Sequence, residues 1–75
     1  GSVRAFGTAE LHRLCRLLDI DMPKDSEIAT VGGLLSEQLG RLPTNGDGLD
    51  WNGYRFTVLS ASQSGAELVS IVEII

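Results

Sequence analysis

Seventy-five residues are enough for one small domain and too few for two. With 43% hydrophobic and 21% charged residues, the chain has the apolar matter for a core, which excludes wholesale disorder. Ten acidic residues against six basic ones give a formal charge of −4. That balance opposes phosphate backbones and anionic lipid, and so argues against a nucleic-acid module.

The short apolar run 3–6 reads as an edge strand, broken by Gly7. Thr8 is a good N-cap and Glu10 falls in the first turn, where the helix dipole favours it. Leu11, Leu14, Cys15 and Leu18 then make one apolar stripe, which predicts a helix over 9–18. Residues 19–28 read as a polar connector, with Pro23 forbidding continuation of the helix. Thr30 is a second N-cap, Val31, Leu34, Leu35 and Leu39 form the next stripe, and Gly40 followed by Pro43 closes a helix over 31–39. Gly32 and Gly33 in its first turn are costly, and close approach of another backbone or of a ligand is the reason to tolerate them. From Thr44 the period changes to two. Asn52-Gly53 predicts a two-residue hairpin, Ser64-Gly65 a second turn, and 68–75 a strand apolar on both faces, buried on both sides or covered by a partner. The architecture expected is α+β: two helices packed on a small antiparallel sheet, a meander of three strands plus a short N-terminal strand. Leu11, Leu14, Cys15, Leu18, Val31, Leu34, Leu35, Leu39, Phe56, Val58 and Ile71 are the expected core.

Gly1-Ser2, with no initiator Met, reads as the remnant of a cleaved tag, and 3–75 as a single domain cut from a longer protein. One cysteine, Cys15, has no internal partner for a disulfide, and a reducing compartment is the easier fit. No apolar stretch approaches the 18 or so residues that span a bilayer. Arg13 and Arg16, one turn apart, with Arg4 further back, are the largest basic grouping and read as a solvated helix face.

His12 and Cys15 are three apart on the first helix, but Cys15 belongs to the apolar stripe and His12 to its flank. The acidic residues Asp19, Asp21, Asp25 and Glu27 fail the calcium-loop pattern, because Pro23 and Lys24 stand where a ligand and glycine belong. Residues 45–50 resemble one copy of a G-G-x-G-x-D calcium repeat. Such repeats bind only in tandem, so a turn is the expected reading, with adventitious cation binding by Asp47 and Asp50 as the alternative. Gly32-Gly33 lacks the lysine and the spacing of a phosphate loop, which leaves tight helix–sheet packing favoured over an anion site. Trp51 and Tyr54 flank the hairpin turn and are expected to pack across it, the alternative being a partner contact through Trp51. No catalytic or metal-binding residue is assigned, and no enzyme is expected.

The run 30–43, TVGGLLSEQLGRLP, resembles the signature T-L/V-G-G-L/F-hydrophobic-x-E-x-L-G-R-I/L-P of the CorC/HlyC transporter-associated domain. Gly46-Asp47 is similar to the G-D/E that follows the proline there, and 53–59, GYRFTVL, resembles the family strand G-Y/L-x-F-x-V-L. The resemblance covers 3–75. It implies a cytoplasmic C-terminal module that follows a membrane domain and a pair of CBS domains, in hemolysin-like or magnesium and cobalt efflux proteins. The family also ends some sodium/proton antiporters, and its fold is similar to a subdomain of FAD-binding oxidases. The role implied is non-catalytic regulation of ion transport by contact with neighbouring domains. The alternatives are a sensor of adenine nucleotide or flavin, and self-association through the apolar last strand into a homodimer. In place of the arginines or lysines that family members carry there, 66–73 holds Glu67 and Glu73, which removes the charge a flavin or nucleotide phosphate would need.

Overall fold

The computed structural model describes residues 2–22 and 27–74. In chain order the elements are β1 (Ser2–Phe6), α1 (Leu11–Leu18), α2 (Val31–Leu39), β2 (Gly48–Trp51), β3 (Tyr54–Ser62) and β4 (Gly65–Glu73). All four strands join one antiparallel sheet in the order β1-β4-β3-β2. The last three are the expected meander. β1 then pairs with β4, so the first and last strands of the chain are neighbours. Ser2, set aside as a tag remnant, is the first residue of β1 and stands opposite Val72. Ladder bonds are made by the backbone, whatever the side chain. Pro23, the predicted helix stop, and Asp25 lie outside the described residues.

The two helices start from one shared knot. Thr30 is the N-cap of α2, its hydroxyl oxygen accepting from the Gly33 N–H at 3.0 Å. Thr30 also forms a single antiparallel bridge with Glu10, and Glu10 is the N-cap of α1. Around that bridge the Leu11 N–H donates to the Ala29 carbonyl and the Val31 N–H to the Ala9 carbonyl, both at 3.0 Å. Each helix therefore offers its first orphan donor to the strand-like residue before the other helix. This corrects the predicted start of α1. Thr8 is not its cap, and the helix begins at Leu11 rather than at residue 9, because the bridge holds Glu10 extended (φ −68°, ψ 125°).

α2 keeps its predicted bounds. It ends on Gly40 in the left-handed conformation (φ 73°), whose N–H closes on the Ser36 carbonyl at 2.9 Å. The Asn52-Gly53 turn has φ 51° and 82°, both positive as a type I′ hairpin requires. The second turn is displaced by one residue from its expected place: Ser62 pairs with Gly65 across Gln63-Ser64, and Gly65 opens β4.

Both helices lie on one face of the sheet. Leu11, Leu14, Cys15, Val31, Leu34, Leu35, Phe56, Val58, Val69 and Ile71 are buried there. Leu18 and Leu39 are only half-buried, and Val69 joins the core because β4 is an interior strand beneath α2. Of the two readings of the last strand, burial on both sides within the chain is corrected. Val69 and Ile71 face the helices, while the alternate positions Leu68, Ser70 and Val72 face a side that no element of the described residues covers, where Val72 is 41% exposed. Both edges of β4 are already paired, so any self-association through it is left with this open face.

Gly7 is the tightest of the described glycines. A Cβ built there would lie 1.8 Å from the Ala66 carbonyl oxygen, while the Gly7 N–H donates to the Glu67 carbonyl at 2.9 Å. The obstacle is backbone in a paired strand and cannot swing aside. Gly7→Ala is expected to cost about 3 kcal/mol or more, at the upper end of overpacking effects. Thr30→Ala loses a cap and is expected to cost about 1 kcal/mol. Urea unfolding checks both; a Gly7→Ala chain as stable as the parent would contradict the packing described.

Candidate functional site

An open cleft of about 870 Å³ lies over the first turn of α2, between the end of β1 and the β3–β4 turn. Its walls carry Gly7, Gly32, Gly33 and the hydroxyls of Ser60, Ser62 and Ser64, with Glu67 on the strand side. Helix N-termini attract anions through free amides, and here those amides are spent. The Val31 N–H is bonded to Ala9, the Gly32 N–H to the Gly7 carbonyl at 2.9 Å, and the Gly33 N–H to the Thr30 hydroxyl. A Cβ on Gly32 would stand 3.0 Å from the same Gly7 oxygen. Close approach of a second backbone is thus what the glycine pair permits. The charged side chain on the wall is a carboxylate: Glu67 accepts from the Ser60 hydroxyl at 3.3 Å.

The other residues that carried a chemical reading are held apart or engaged. Cys15 is buried, and desolvation raises its thiol pKa; His12 lies exposed on the flank of α1, so the two do not form a working pair. Among the described residues, no three His, Cys, Asp or Glu side chains come together as metal ligands. Trp51 stands opposite Tyr54 in the hairpin. The Trp51 ring meets Phe56 edge-on at 5.9 Å and 75°, and the Tyr54 hydroxyl donates to the Leu18 carbonyl at 3.4 Å. Trp51 is half-buried in that packing.

Asp47 and Asp50, the alternative cation ligands, are both taken by arginines. Asp50 pairs with Arg55 across the β2–β3 ladder. Asp47 receives two bonds from the Arg41 guanidinium, at 2.7 and 2.9 Å, together with the Thr44 N–H at 2.8 Å and the Thr44 hydroxyl at 3.0 Å. This clamp went unread in the sequence. It spans six residues across a turn and the buried Pro43, and only a basic residue after the capping glycine hints at it. The clamp holds the loop after α2 as a strap along β3: Gly46 and Val58, and Val58 and Asp47, exchange backbone bonds at 2.8 and 2.7 Å. The Asn45 amide oxygen accepts from Ala61 at 2.7 Å, next to the bulge where Leu59 drops out of the register.

The bond from Arg41, followed by the Thr44 N–H, holds the Asp47 carboxyl well below the usual carboxylate range. A depressed folded-state pKa stabilises the fold above the unfolded value, about 4, and that contribution fades as pH falls through and below it. Asp47→Asn removes it. The stability difference between parent and variant is expected to be full at neutral pH and to shrink steadily below about pH 4, as read by thermal melts across an acid series. A pH-independent difference would contradict the clamp.

The geometry and order of elements match known proteins over nearly the whole chain. The family model described as "Transporter associated domain", CorC_HlyC, matches residues 1–74. The inner membrane protein YoaE of Escherichia coli K12 is 35% identical over 68 residues, which is 89% of this chain and 13% of that protein. The magnesium and cobalt efflux protein CorC of Buchnera aphidicola from Schizaphis graminum is 47% identical over 34 residues, 45% of this chain and 12% of that protein. The chain thus spans about an eighth of the length of these relatives. A solved CorC_HlyC domain from Haemophilus ducreyi superposes with a TM-score of 0.90 at 21% identity, covering 100% of this chain and 90% of its own, and shows the same fold. With a family model matched from residue 1 to 74 and the same helices over the same sheet, the chain belongs to the CorC/HlyC transporter-associated domain family.

Proposed function

We propose that the chain is a non-catalytic accessory domain of a membrane ion transporter of the magnesium and cobalt efflux type. In this reading it sits at the cytoplasmic face and biases transport by contact with the neighbouring CBS and membrane domains. The observation that carries the reading is the match of nearly the whole chain to about an eighth of much longer relatives, one an inner membrane protein and one an efflux protein. The fold supports it by what it leaves open. One face of the sheet is covered by helices; the other presents Phe6 and Val72, 69% and 41% exposed, to a neighbour. No helix among the described residues is long and apolar enough to cross a membrane, so in this reading the bilayer is crossed by other parts of the parent. A contact can bias a transporter only if it differs between two conformations of that transporter.

Cobalt and magnesium efflux from cells carrying the parent transporter, with and without this segment, tests the reading. The shortened protein is expected to reach the membrane at the same level and to show altered flux or altered response of flux to ion load. Unchanged flux and unchanged response would overturn a regulatory role.

A further inference from the structure

β1 is an edge strand, and its bonding phase can be read from its end. The Gly7 N–H bonds to Glu67 on β4, and the register continues as Ala5 opposite Val69 and Val3 opposite Ile71. Antiparallel pairs alternate between bonded and non-bonded. Gly7, Ala5 and Val3 therefore bond inward to β4, and the backbone groups of Ser2, Arg4 and Phe6 point away from the sheet. The Phe6 carbonyl is used by the Ala9 N–H at 3.0 Å. Among the described residues, nothing bonds the Arg4 N–H or its carbonyl.

Beside this edge lies a groove of about 460 Å³ between β1 and α1. Val3 and Ala5 line its sheet side, Leu14 and Leu17 its helix side, and Leu17 is 68% exposed. No Cα of α1 comes within 8 Å of a Cα of β1. A further strand takes its place about 4.8 Å from the edge, with one face turned into this groove.

The charge beside the groove is opposite to that of the chain. Arg41 and Arg55 are engaged by Asp47 and Asp50. Among the described residues, Arg4 and Arg16 have no acidic partner, and Arg13 has only the exposed Glu10 at 3.8 Å. In a chain of net charge −4, the uncommitted arginines thus gather at β1 and α1. A second copy is a poor occupant. The fullest two-fold pairing of β1 with itself sets Arg4 against Arg4, and like charges directly opposite destabilise a ladder.

We infer that β1 is a docking edge for an extended acidic segment, which adds to the sheet as a fifth strand. Its backbone bonds the Arg4 N–H and carbonyl. A carboxylate sits opposite the Arg4 side chain on the open face of the sheet, and the apolar residues on either side of it enter the groove between Val3, Ala5, Leu14 and Leu17. Backbone bonds supply the affinity and the alternating side chains the selectivity. The inference gives the contact proposed above a surface and rests on that reading only there: peptide binding and ion efflux are separate measurements, and either can fail while the other stands.

The test titrates the isotope-labelled 75-residue chain with a short blocked peptide of alternating valine and glutamate, and with its lysine-for-glutamate counterpart, followed by amide NMR and hydrogen exchange. Saturable binding of the acidic peptide is expected, with slowed exchange at the Arg4 amide. Arg4→Glu is expected to reverse the preference between the peptides by about tenfold. Arg4→Pro removes an outward donor that the β1–β4 ladder does not use, as edge strands permit; it is expected to abolish binding while the remaining β1 and β4 amides keep their protection. Equal binding of both peptides, binding that survives both variants, or a peptide-free dimer with a protected Arg4 amide would overturn the proposal.

Discussion

The single bridge between Glu10 and Thr30 is the constraint on which the helical layer depends. A helix start leaves donors without partners, and a small domain has few spare side chains to satisfy them. Here two starts lie side by side and each takes a carbonyl from the residue ahead of the other's cap: Ala29 for Leu11, Ala9 for Val31. The same knot brings Gly7 to the Gly32 amide, which ties the first strand to the second helix. The helix axes, the end of β1 and the cleft floor are therefore set together. A change at any one of Gly7, Thr30 or Gly32 is felt by all three.

The far end of α2 is fixed by a different device. Gly40 turns the chain, Pro43 is buried, and Arg41 reaches over to Asp47, so the loop is stretched along β3 before β2 begins. Both ends of this one helix are thus locked to the sheet by polar contacts, while its middle, Leu34 and Leu35, is locked by burial. The sequence run with which the family is identified, 30–43, maps onto that arrangement: a cap, a close approach, a core stripe, a left-handed stop and one arm of a clamp.

What could be read in advance followed from how local each signal is. Thr30, Gly40 and the Asn52-Gly53 turn act on their own neighbours, and the elements they bound stand where residue spacing puts them. The start of α1 escapes residue spacing because its first donor bonds a carbonyl eighteen positions downstream, which no local pattern reports. The burial of Val69 is not legible locally because it follows from strand order, and strand order is set by β1 returning to pair with the last strand. At the candidate site the glycine pair was legible as a close approach, but its partner was not: Gly7 looked like a mere break after a strand. The Arg41–Asp47 pair was invisible for a similar reason, since six residues across a turn and a proline match neither helical nor strand periodicity.

Because Ser2 stands opposite Val72, the chain enters and leaves the sheet at the same corner. Tension applied through the backbone at these two points loads the β1–β4 ladder from one end. Its bonds are then opened in succession, like a zip, and do not share the load as they would in shear. The domain is consequently soft to being pulled apart by its own ends, and the element that yields first is the strand whose end is tied through Gly7 to the start of α2.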